Sequence, residues 1–201
     1  MPDWNDCYQR AETPWDKGQP TPVLAELASR HPGVFTGRIL VPGCGTGHDA
    51  RWLADQGCKV TGLDIAPLAV ERARALDAAG RVQFRLADLF DLPTDLRAAF
   101  DVAWEHTCLC ALNPELRRQY ALGVKSALKP DGVVAGVFFI NPEMDPGEEG
   151  PPFGIAVDEL ESLWREAGFQ IVDSWVPATG YEGRIGRERA MVLRLSQEAT
   201  H

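Results

Sequence analysis

The sequence predicts an α/β protein built on a mostly parallel sheet, and three observations lead to that class. Short apolar runs alternate with amphipathic segments along most of the chain, as they do in strand–helix–strand units. The glycine-rich stretch Gly43-Cys44-Gly45-Thr46-Gly47 joins the first of these runs to a helical pattern. An acid, Asp64, closes the next apolar run. This layout is typical of a nucleotide-type cofactor site on a doubly wound sheet.

In the first half of the chain, strands and helices alternate. Residues 82–86 alternate apolar and polar side chains, whereas 48–56 and 67–79 repeat apolar side chains at helical spacing. Gly57 and Gly80 are the expected stops of those two helices. The predicted elements, in chain order, are a strand at 38–41, a helix at 48–56, a strand at 59–63, a helix at 67–79 and a strand at 82–86.

The second half continues the alternation and ends on two strands in succession. The continuous apolar run 133–140 is typical of a strand buried on both faces. The other predicted elements are strands at 100–104, 169–176 and 190–195, helices at 114–128 and 157–167, a loop at 141–154 and a glycine-rich connection at 177–186. Together these predict a seven-stranded, mostly parallel sheet with an antiparallel last strand.

Composition limits the classes of partner. The chain has 201 residues, 45% hydrophobic and 24% charged, which suits one globular domain with a substantial core. Its net charge of −9 argues against nucleic acid or an anionic membrane as the main partner. No apolar run is long enough to span a bilayer and no signal sequence is recognisable, so we expect a cytoplasmic protein.

The five cysteines are an odd number without C-x-x-C spacing, so neither a disulfide framework nor a metal site is expected. Cys108 and Cys110 lie beside the predicted site, where one of them would be reactive if it were not simply buried. Buried packing is the interpretation we favour for both.

The glycine spacing bears on the cofactor. The pattern is G-x-G-x-G, and His48 stands where the dinucleotide fingerprint has its third glycine. This favours a mononucleoside such as S-adenosylmethionine, which has no pyrophosphate to seat. A nicotinamide-dependent oxidoreductase stays open as the second interpretation, and an ordinary strand–helix turn as the third.

Ligands of such sheets bind beyond the carboxyl ends of the strands, which selects a short set of candidates. Asp64 is placed to accept hydrogen bonds from ribose hydroxyls, or to cap the following helix. Asp88 and Leu89 are placed to bind an adenine ring, and a loop cap is the alternative for Asp88. In the segment Glu105-His106-Thr107, His106 is expected either to line the sulfonium or acceptor pocket or to be structural.

Residues 1–22 precede the sheet and carry three large aromatic side chains, Trp4, Tyr8 and Trp15. Aromatic faces stabilise a cation such as a sulfonium. We therefore expect this segment to form a lid over the cleft and to exclude water from it, with plain packing against the sheet as the alternative.

Several strings in the chain resemble a known family. The segment Thr13-Pro14-Trp15-Asp16-Lys17-Gly18-Gln19-Pro20-Thr21-Pro22 is similar to the N-terminal signature of the thiopurine S-methyltransferase family. That family includes the plant-type halide and thiol methyltransferases, to which further strings are similar. They are Val41-Pro42-Gly43-Cys44-Gly45, Gly62-Leu63-Asp64-Ile65, Asp88-Leu89-Phe90, Glu105-His106-Thr107-Cys108-Leu109-Cys110-Ala111-Leu112 and Gly150-Pro151-Pro152-Phe153.

The resemblance implies a class I, Rossmann-like methyltransferase formed by one domain, residues 1–201, with the lid at 1–22. It implies S-adenosylmethionine as methyl donor and S-adenosylhomocysteine as product. The residues expected to hold the donor are Trp4, Tyr8, Trp15, Gly43, Gly45, Asp64, Asp88, Leu89 and His106.

The reaction implied is in-line displacement by a thiol, hydrosulfide, halide or thiopurine, with His106 as the candidate catalytic residue for a neutral thiol. Two positions depart from the plant-type pattern: Tyr8 replaces a tryptophan, and His106 replaces a tyrosine that is an arginine in thiopurine enzymes. We expect a small-molecule substrate and a monomer or small homo-oligomer. A tellurite- or selenite-detoxifying enzyme and a non-catalytic donor-binding module remain alternatives.

Overall fold

A computed structural model describes residues 2–144, 147 and 150–196. Its seven strands form one sheet in the order β3-β2-β1-β4-β5-β7-β6, and only β7 runs antiparallel to its neighbours β5 and β6. This confirms the predicted sheet. The strands are β1 (Arg38–Pro42), β2 (Lys59–Asp64), β3 (Val82–Leu86), β4 (Phe100–His106), β5 (Leu128–Phe139), β6 (Phe169–Trp175) and β7 (Glu188–Leu195).

Six α-helices accompany the sheet in the described part of the chain: α1 (Trp4–Gln9), α2 (Pro22–Arg30), α3 (His48–Asp55), α4 (Pro67–Leu76), α5 (Arg117–Ala127) and α6 (Val157–Glu166). None of them is long and apolar enough to cross a membrane. The sequence analysis missed α1 and α2. The start of α2 did carry a signal, because Thr21 caps it and Pro22 occupies its first turn.

The core lies on both faces of the sheet. Neighbouring strand residues separate onto opposite faces, so Leu40 joins the cluster under α5 and α6, while Ile39 joins the cluster under α2, α3 and α4. Trp164 fills the first cluster and Trp104 the second, and both are fully buried. The helices therefore cover the faces and leave the carboxyl ends of the strands to the loops.

The ends of β4 and α4 differ from the prediction. β4 was expected to end at Trp104, but Glu105 and His106 continue the ladder by pairing with Gly136 and Val137 of β5. The helix predicted at 67–79 ends at Leu76, because the Asp77 carboxylate turns to accept a hydrogen bond from the Val82 amide at 2.8 Å.

Helix and strand meet directly at Leu128. A helix was expected to 128 and a strand from 133, but α5 ends at Ala127, and Leu128 already pairs with Phe100 of β4. A short 3-10 turn, Pro114–Leu116, replaces the first turn of the predicted helix. Parts of three predicted segments lie outside the described residues: residue 1 of the lid, residues 145, 146, 148 and 149 of the loop, and residues 197–201 at the end of the domain.

Candidate active site

A cavity of about 360 Å³ opens at the carboxyl ends of the central strands, where the strand order reverses between β1 and β4. Its volume lies in the range of small-molecule sites. The loops after β1 to β5, the N-terminal segment, α5 and the loop that joins β6 to β7 supply its walls.

The cavity gathers eight of the nine residues that the sequence analysis selected for donor binding. Those that line it are Trp4, Tyr8, Trp15, Gly43, Gly45, Asp64, Asp88 and Leu89. His106 is not among its lining residues, although the next residue, Thr107, is. Whether these residues hold the donor stays a prediction.

Gly43 occupies a position that excludes any side chain. Its φ is +58°, in the left-handed region, and a Cβ placed on it would lie 2.7 Å from the Cys108 sulfur. The bare backbone of the loop after β1 therefore forms part of the cavity wall, which allows a ligand to approach it closely.

Asp64 is both a structural and a candidate binding residue. Its Oδ2 accepts a hydrogen bond from the Gly45 amide and its Oδ1 one from the Ala66 amide, each at 2.9 Å. Each carboxylate oxygen retains capacity for a second hydrogen bond on the cavity side. Burial raises the pKa of this carboxyl above its ordinary value, although the backbone amides oppose that rise.

Asp88 acts as a loop cap, the alternative considered from the sequence. Its Oδ1 accepts a hydrogen bond from the Phe90 amide at 2.8 Å and so fixes the 3-10 turn Leu89–Asp91. Leu89 follows with a buried side chain that lines the cavity. The cap thus holds an apolar surface at the place where an adenine ring was expected.

The three N-terminal aromatic residues form one cluster at the cavity wall. Trp15 Nε1 donates a hydrogen bond to the Tyr8 hydroxyl at 3.4 Å, and the ring of Trp15 stands edge-on to that of Trp4 with centroids 5.4 Å apart. Tyr8 is buried among them. Burial also raises its pKa well above the ordinary value, so the phenol stays neutral.

His106 lies behind the cavity wall, on the side of α3. Its Nδ1 is 2.8 Å from Oδ2 of Asp49, which also accepts from Trp104 Nε1 at 2.9 Å, while Oδ1 accepts from the Thr21 amide. Burial opposes ionisation of Asp49, but the His106 charge and these hydrogen bonds lower its pKa overall. The His106 ring therefore completes a buried polar cluster, and its catalytic role stays a prediction.

The two cysteines beside the site are poor nucleophiles. Burial raises the pKa of the Cys110 thiol to about 12 and that of Cys108 well above its ordinary value. Both line the cavity as neutral thiols. Cys110 is buried and Cys108 is half-buried, so buried packing as the favoured interpretation stays a prediction.

Two of the lining residues that were not selected from the sequence carry polar side chains important to the site, Tyr120 and Arg184. Tyr120, on α5, is buried, and its hydroxyl makes no hydrogen bond of normal geometry to the described residues, although the Cys108 thiol is its neighbour. Its position inside an ordinary amphipathic helix gave no signal.

Arg184 is the second. Among the described residues that line the cavity it is the only cationic one. Its Nη1 donates to buried Glu188 at 3.3 Å, and its guanidinium carbon lies 4.7 Å from the centroid of the Phe139 ring. The glycine-rich segment around it was recognised only as a connection between strands.

The residues present fit a nucleoside carrying a sulfonium. A carboxylate with spare acceptor capacity (Asp64) and a backbone cradle that a Cβ would fill (Gly43) meet in one cavity lined by aromatic side chains. The buried Tyr120 hydroxyl, which makes no hydrogen bond of normal geometry to the described residues, joins them there. Such a set offers acceptors to ribose hydroxyls, room for a close backbone approach, and π-faces to a cation.

Comparisons with known proteins find relatives among methyltransferases. The chain is 35% identical over 194 residues to the probable thiol methyltransferase 2 of Arabidopsis thaliana, covering 92% of this chain and 83% of that protein. It is 32% identical over 191 residues to the thiocyanate methyltransferase 1 of Brassica oleracea, covering 92% and 81%.

The fold has close counterparts among solved structures. One is the Burkholderia thailandensis 1,6-didemethyltoxoflavin-N1-methyltransferase, solved with S-adenosylhomocysteine, with a TM-score of 0.73 and 24% identity over 96% of this chain and 86% of that one. A family model described as Thiopurine S-methyltransferase (TPMT) matches residues 1–179. The chain therefore belongs to the thiopurine S-methyltransferase family.

Proposed function

We propose that the protein transfers the methyl group of S-adenosylmethionine to a small, soft nucleophile that is already an anion near neutral pH. Thiocyanate, iodide, hydrosulfide and acidic thiols belong to this class. One observation carries the choice of acceptor: Arg184 is the sole cation among the described lining residues. The proposal rests also on the family and on the relatives that act on thiols and thiocyanate.

The charges of the cavity are separated along the sheet. Asp64 ends β2 and Asp88 follows β3, on one side of the switch point. Arg184 contacts Glu188 of β7 and Phe139 of β5, on the other side. This supports a donor site beside the two carboxylates and an acceptor site beside Arg184, because each then offers a group of complementary charge. Arg184 bonds Glu188 through Nη1, and a guanidinium has further N–H donors that an anion could use.

At the donor side, Asp64 would bind the ribose hydroxyls, Leu89 would pack on the base, and the backbone at Gly43 would admit the amino-acid part. S-adenosylmethionine supplies a methyl group activated by its sulfonium. The aromatic cluster of Trp4, Tyr8 and Trp15 would stabilise that positive charge and exclude water from it.

At the acceptor side, Arg184 would attract the anion and orient it. Pro151, Pro152 and Leu112 add apolar walls, which remove water from the anion and so leave its lone pair more reactive. Alignment and desolvation are then the main sources of rate, because displacement by a preformed anion needs no general base.

A preformed anion also suits the acceptor side. The lining carboxylates Asp64 and Asp88 are assigned to the donor side, and the described residues assigned to the acceptor side offer no general base. A neutral thiol must lose a proton, yet Cys108 and Cys110 are themselves protonated and His106 does not line the cavity. An acceptor that arrives as an anion avoids this step.

The test is release of S-adenosylhomocysteine by the purified protein supplied with S-adenosylmethionine and each of five acceptors: iodide, thiocyanate, hydrosulfide, an aromatic thiol and a thiopurine. Turnover on the inorganic anions above that on the thiopurine supports the proposal. Turnover confined to the thiopurine contradicts the proposed class of acceptor. So does an absence of turnover on all five acceptors by a protein that binds S-adenosylhomocysteine. No binding at all contradicts the donor site.

A further inference from the structure

The N-terminal segment, residues 2–21, contributes Trp4, Tyr8 and Trp15 to the cavity, but its two halves are held by different elements. The first half is docked on α4, where the Leu68 amide donates to Asn5 Oδ1 at 3.0 Å and Arg72 Nη2 donates to the Tyr8 carbonyl at 2.6 Å. The second half, which carries Trp15, is held instead by the loop after β1 and by the first turn of α3.

Asp16 makes this second attachment. Its Oδ2 accepts a hydrogen bond from Thr46 Oγ1 at 2.7 Å, and its Oδ1 lies 3.1 Å from Nε2 of His48 and accepts from the Gly18 amide at 2.9 Å. Thr46 belongs to the glycine loop and His48 begins α3. One carboxylate thus joins the aromatic segment to the loop that is proposed to seat the donor.

The hydrogen-bonding chain around His48 fixes the direction of this contact. Arg51 has no acceptor, so its Nη2 donates to His48 Nδ1 at 3.0 Å, and the proton of a neutral His48 ring therefore lies on Nε2, facing Asp16. Arg51 Nη1 also donates to the Thr46 carbonyl. Burial opposes ionisation of Asp16, but the hydrogen bonds from Thr46, Gly18 and His48 lower its pKa, so it is a carboxylate at neutral pH.

The attachment stands between two exposed stretches, residues 9–12 and 17–19, and Ala11 has a positive φ of 56°. Beyond Asp16 the segment is held again where the Tyr181 hydroxyl donates to the Gln19 carbonyl at 2.7 Å. A ligand in contact with Trp4, Tyr8 and Trp15 would be held by this segment. The Asp16 contacts are therefore placed to set how readily the half that carries Trp15 lifts from the cavity.

We propose that Asp16 is a positioning residue for the methyl donor: it fixes Trp15 against the glycine loop and thereby slows dissociation of the bound nucleoside. The inference rests on the proposed function, since it takes the ligand of this cavity to be the donor or its product. It adds a role for a side chain that does not itself line the cavity.

The experiment compares Asp16→Ala with a matched control, Glu12→Gln, which alters an exposed acid of the same segment whose partner is Arg10. Stopped-flow tryptophan fluorescence gives the dissociation rate of S-adenosylhomocysteine. Loss of charge-assisted hydrogen bonds is expected to raise this rate about tenfold or more in Asp16→Ala and to leave it within about twofold in Glu12→Gln.

Limited trypsin cleavage after Lys17 gives an independent reading of segment opening. S-adenosylhomocysteine should protect this bond in the wild-type protein and in Glu12→Gln, and protect it less in Asp16→Ala. Thr46→Val removes the partner hydroxyl from the opposite side of the contact, so it supplies a second variant if Asp16→Ala does not fold. The melting temperature without ligand separates loss of the attachment from loss of the fold.

Unchanged dissociation and protection in both Asp16→Ala and Thr46→Val would overturn the inference. Binding of S-adenosylhomocysteine by the wild-type protein distinguishes failure of this inference from failure of the proposed function. If it binds S-adenosylhomocysteine and the variants release the nucleoside equally slowly, only the role of Asp16 fails. If the wild-type protein does not bind it, the proposed function itself fails.

Discussion

The carboxylate of Asp64 accepts a hydrogen bond from the backbone amide of Gly45 at 2.9 Å, so the end of β2 is tied to the loop that follows β1. The same carboxylate accepts from Ala66 and so also fixes the start of α4. The end of β2, the loop after β1 and the start of α4 thus meet at one side chain. A ligand hydroxyl bound to Asp64 would be positioned relative to all three.

Replacement of Asp64 by alanine is therefore expected to weaken binding of S-adenosylhomocysteine. Hydrogen bonds to a charged group contribute about 1.5–3 kcal/mol, which corresponds to a rise in Kd of roughly ten- to a hundredfold. Isothermal titration calorimetry measures this Kd. The control is Asp158→Asn, which replaces an exposed acid of α6. An Asp64→Ala protein that binds as tightly as Asp158→Asn would exclude Asp64 as a ligand of the nucleoside.

Replacing Gly43 by alanine is expected to lower the free energy of unfolding by more than the left-handed backbone conformation alone would explain. Gly43 and Gly80 have nearly the same positive φ, +58° and +60°, but a Cβ at Gly43 would meet the Cys108 sulfur at 2.7 Å, whereas nothing lies within 4 Å at Gly80. Gly80→Ala should lower the free energy of unfolding by about 1–2 kcal/mol because of the left-handed backbone. Gly43→Ala should lower it by about 1–3 kcal/mol more, because the new Cβ overlaps the Cys108 sulfur.

A double-mutant cycle tests this cause. Urea unfolding of Gly43→Ala, Cys108→Ala and the double variant should show that removal of the sulfur recovers part of the loss. Strict additivity of the two single changes would show that the overlap is not the source of the extra cost.

Glu105 gives the folded protein a pH dependence near neutrality. It is buried, accepts hydrogen bonds from the Cys108 and Leu109 amides through Oε1, and burial raises its pKa from 4.5 to about 7. Between these values the folded state holds a proton that the unfolded chain has released. The contribution to stability is therefore complete below about pH 4.5 and is lost as pH rises through about 7.

Glu105→Gln should remove this dependence, because the amide cannot ionise. Free energies of unfolding measured in urea at pH 5, 6, 7 and 8 should show the wild-type protein losing stability relative to Glu105→Gln by at most about 1.4 kcal/mol per pH unit. Parallel curves for the two proteins would indicate that Glu105 ionises with an ordinary pKa.

The sheet, and the residues of the cavity that are proposed to hold the donor, were predictable because local sequence determines where they lie. Strand-end residues such as Asp64 and the glycines of the loop after β1 are set by short patterns of hydrophobicity and backbone freedom. Leu89 followed from the same rule, applied to the end of β3.

The side of the cavity that is proposed to bind the acceptor was not predictable, because it is assembled from distant parts of the chain. Arg184 reaches the cavity through its contacts with Phe139 and Glu188, and Tyr120 through the packing of α5. His106 illustrates the sensitivity to register: β4 continues through it, and its side chain points to Asp49 on the face of α3.

Arg184 is expected to control the acceptor and not the donor. Arg184→Met should lower kcat/KM for thiocyanate or iodide by roughly ten- to a hundredfold, while the Kd of S-adenosylhomocysteine stays within about twofold. Arg184→Lys keeps the charge, so its kcat/KM should lie between those of the wild-type protein and Arg184→Met. Steady-state kinetics with a varied anion measure the effect.

A second substitution controls for folding at this position. Glu188 is buried and ion-paired with Arg184, so Arg184→Met alone leaves a carboxylate without its cation. Arg184→Met/Glu188→Gln should recover stability but not anion turnover. If turnover returned with stability, Arg184 would be structural and the proposed acceptor site would lose its main support.

His106 is expected to matter for stability more than for the chemical step. Its Nδ1 supports Asp49, a buried carboxylate that also holds Trp104 and the Thr21 amide, and the ring does not line the cavity. His106→Phe should therefore lower the free energy of unfolding by about 1–3 kcal/mol, because it leaves Asp49 short of one donor. Asp49→Asn in the same chain should restore part of that loss, since a neutral amide is cheaper to bury than a carboxylate.

In both variants the pH dependence of kcat on an anionic acceptor should keep its wild-type shape. If His106→Phe folded normally and lost one limb of that profile, the histidine would act on the acceptor, as the sequence had suggested, and β4 would have to present its ring to the cavity in the working enzyme.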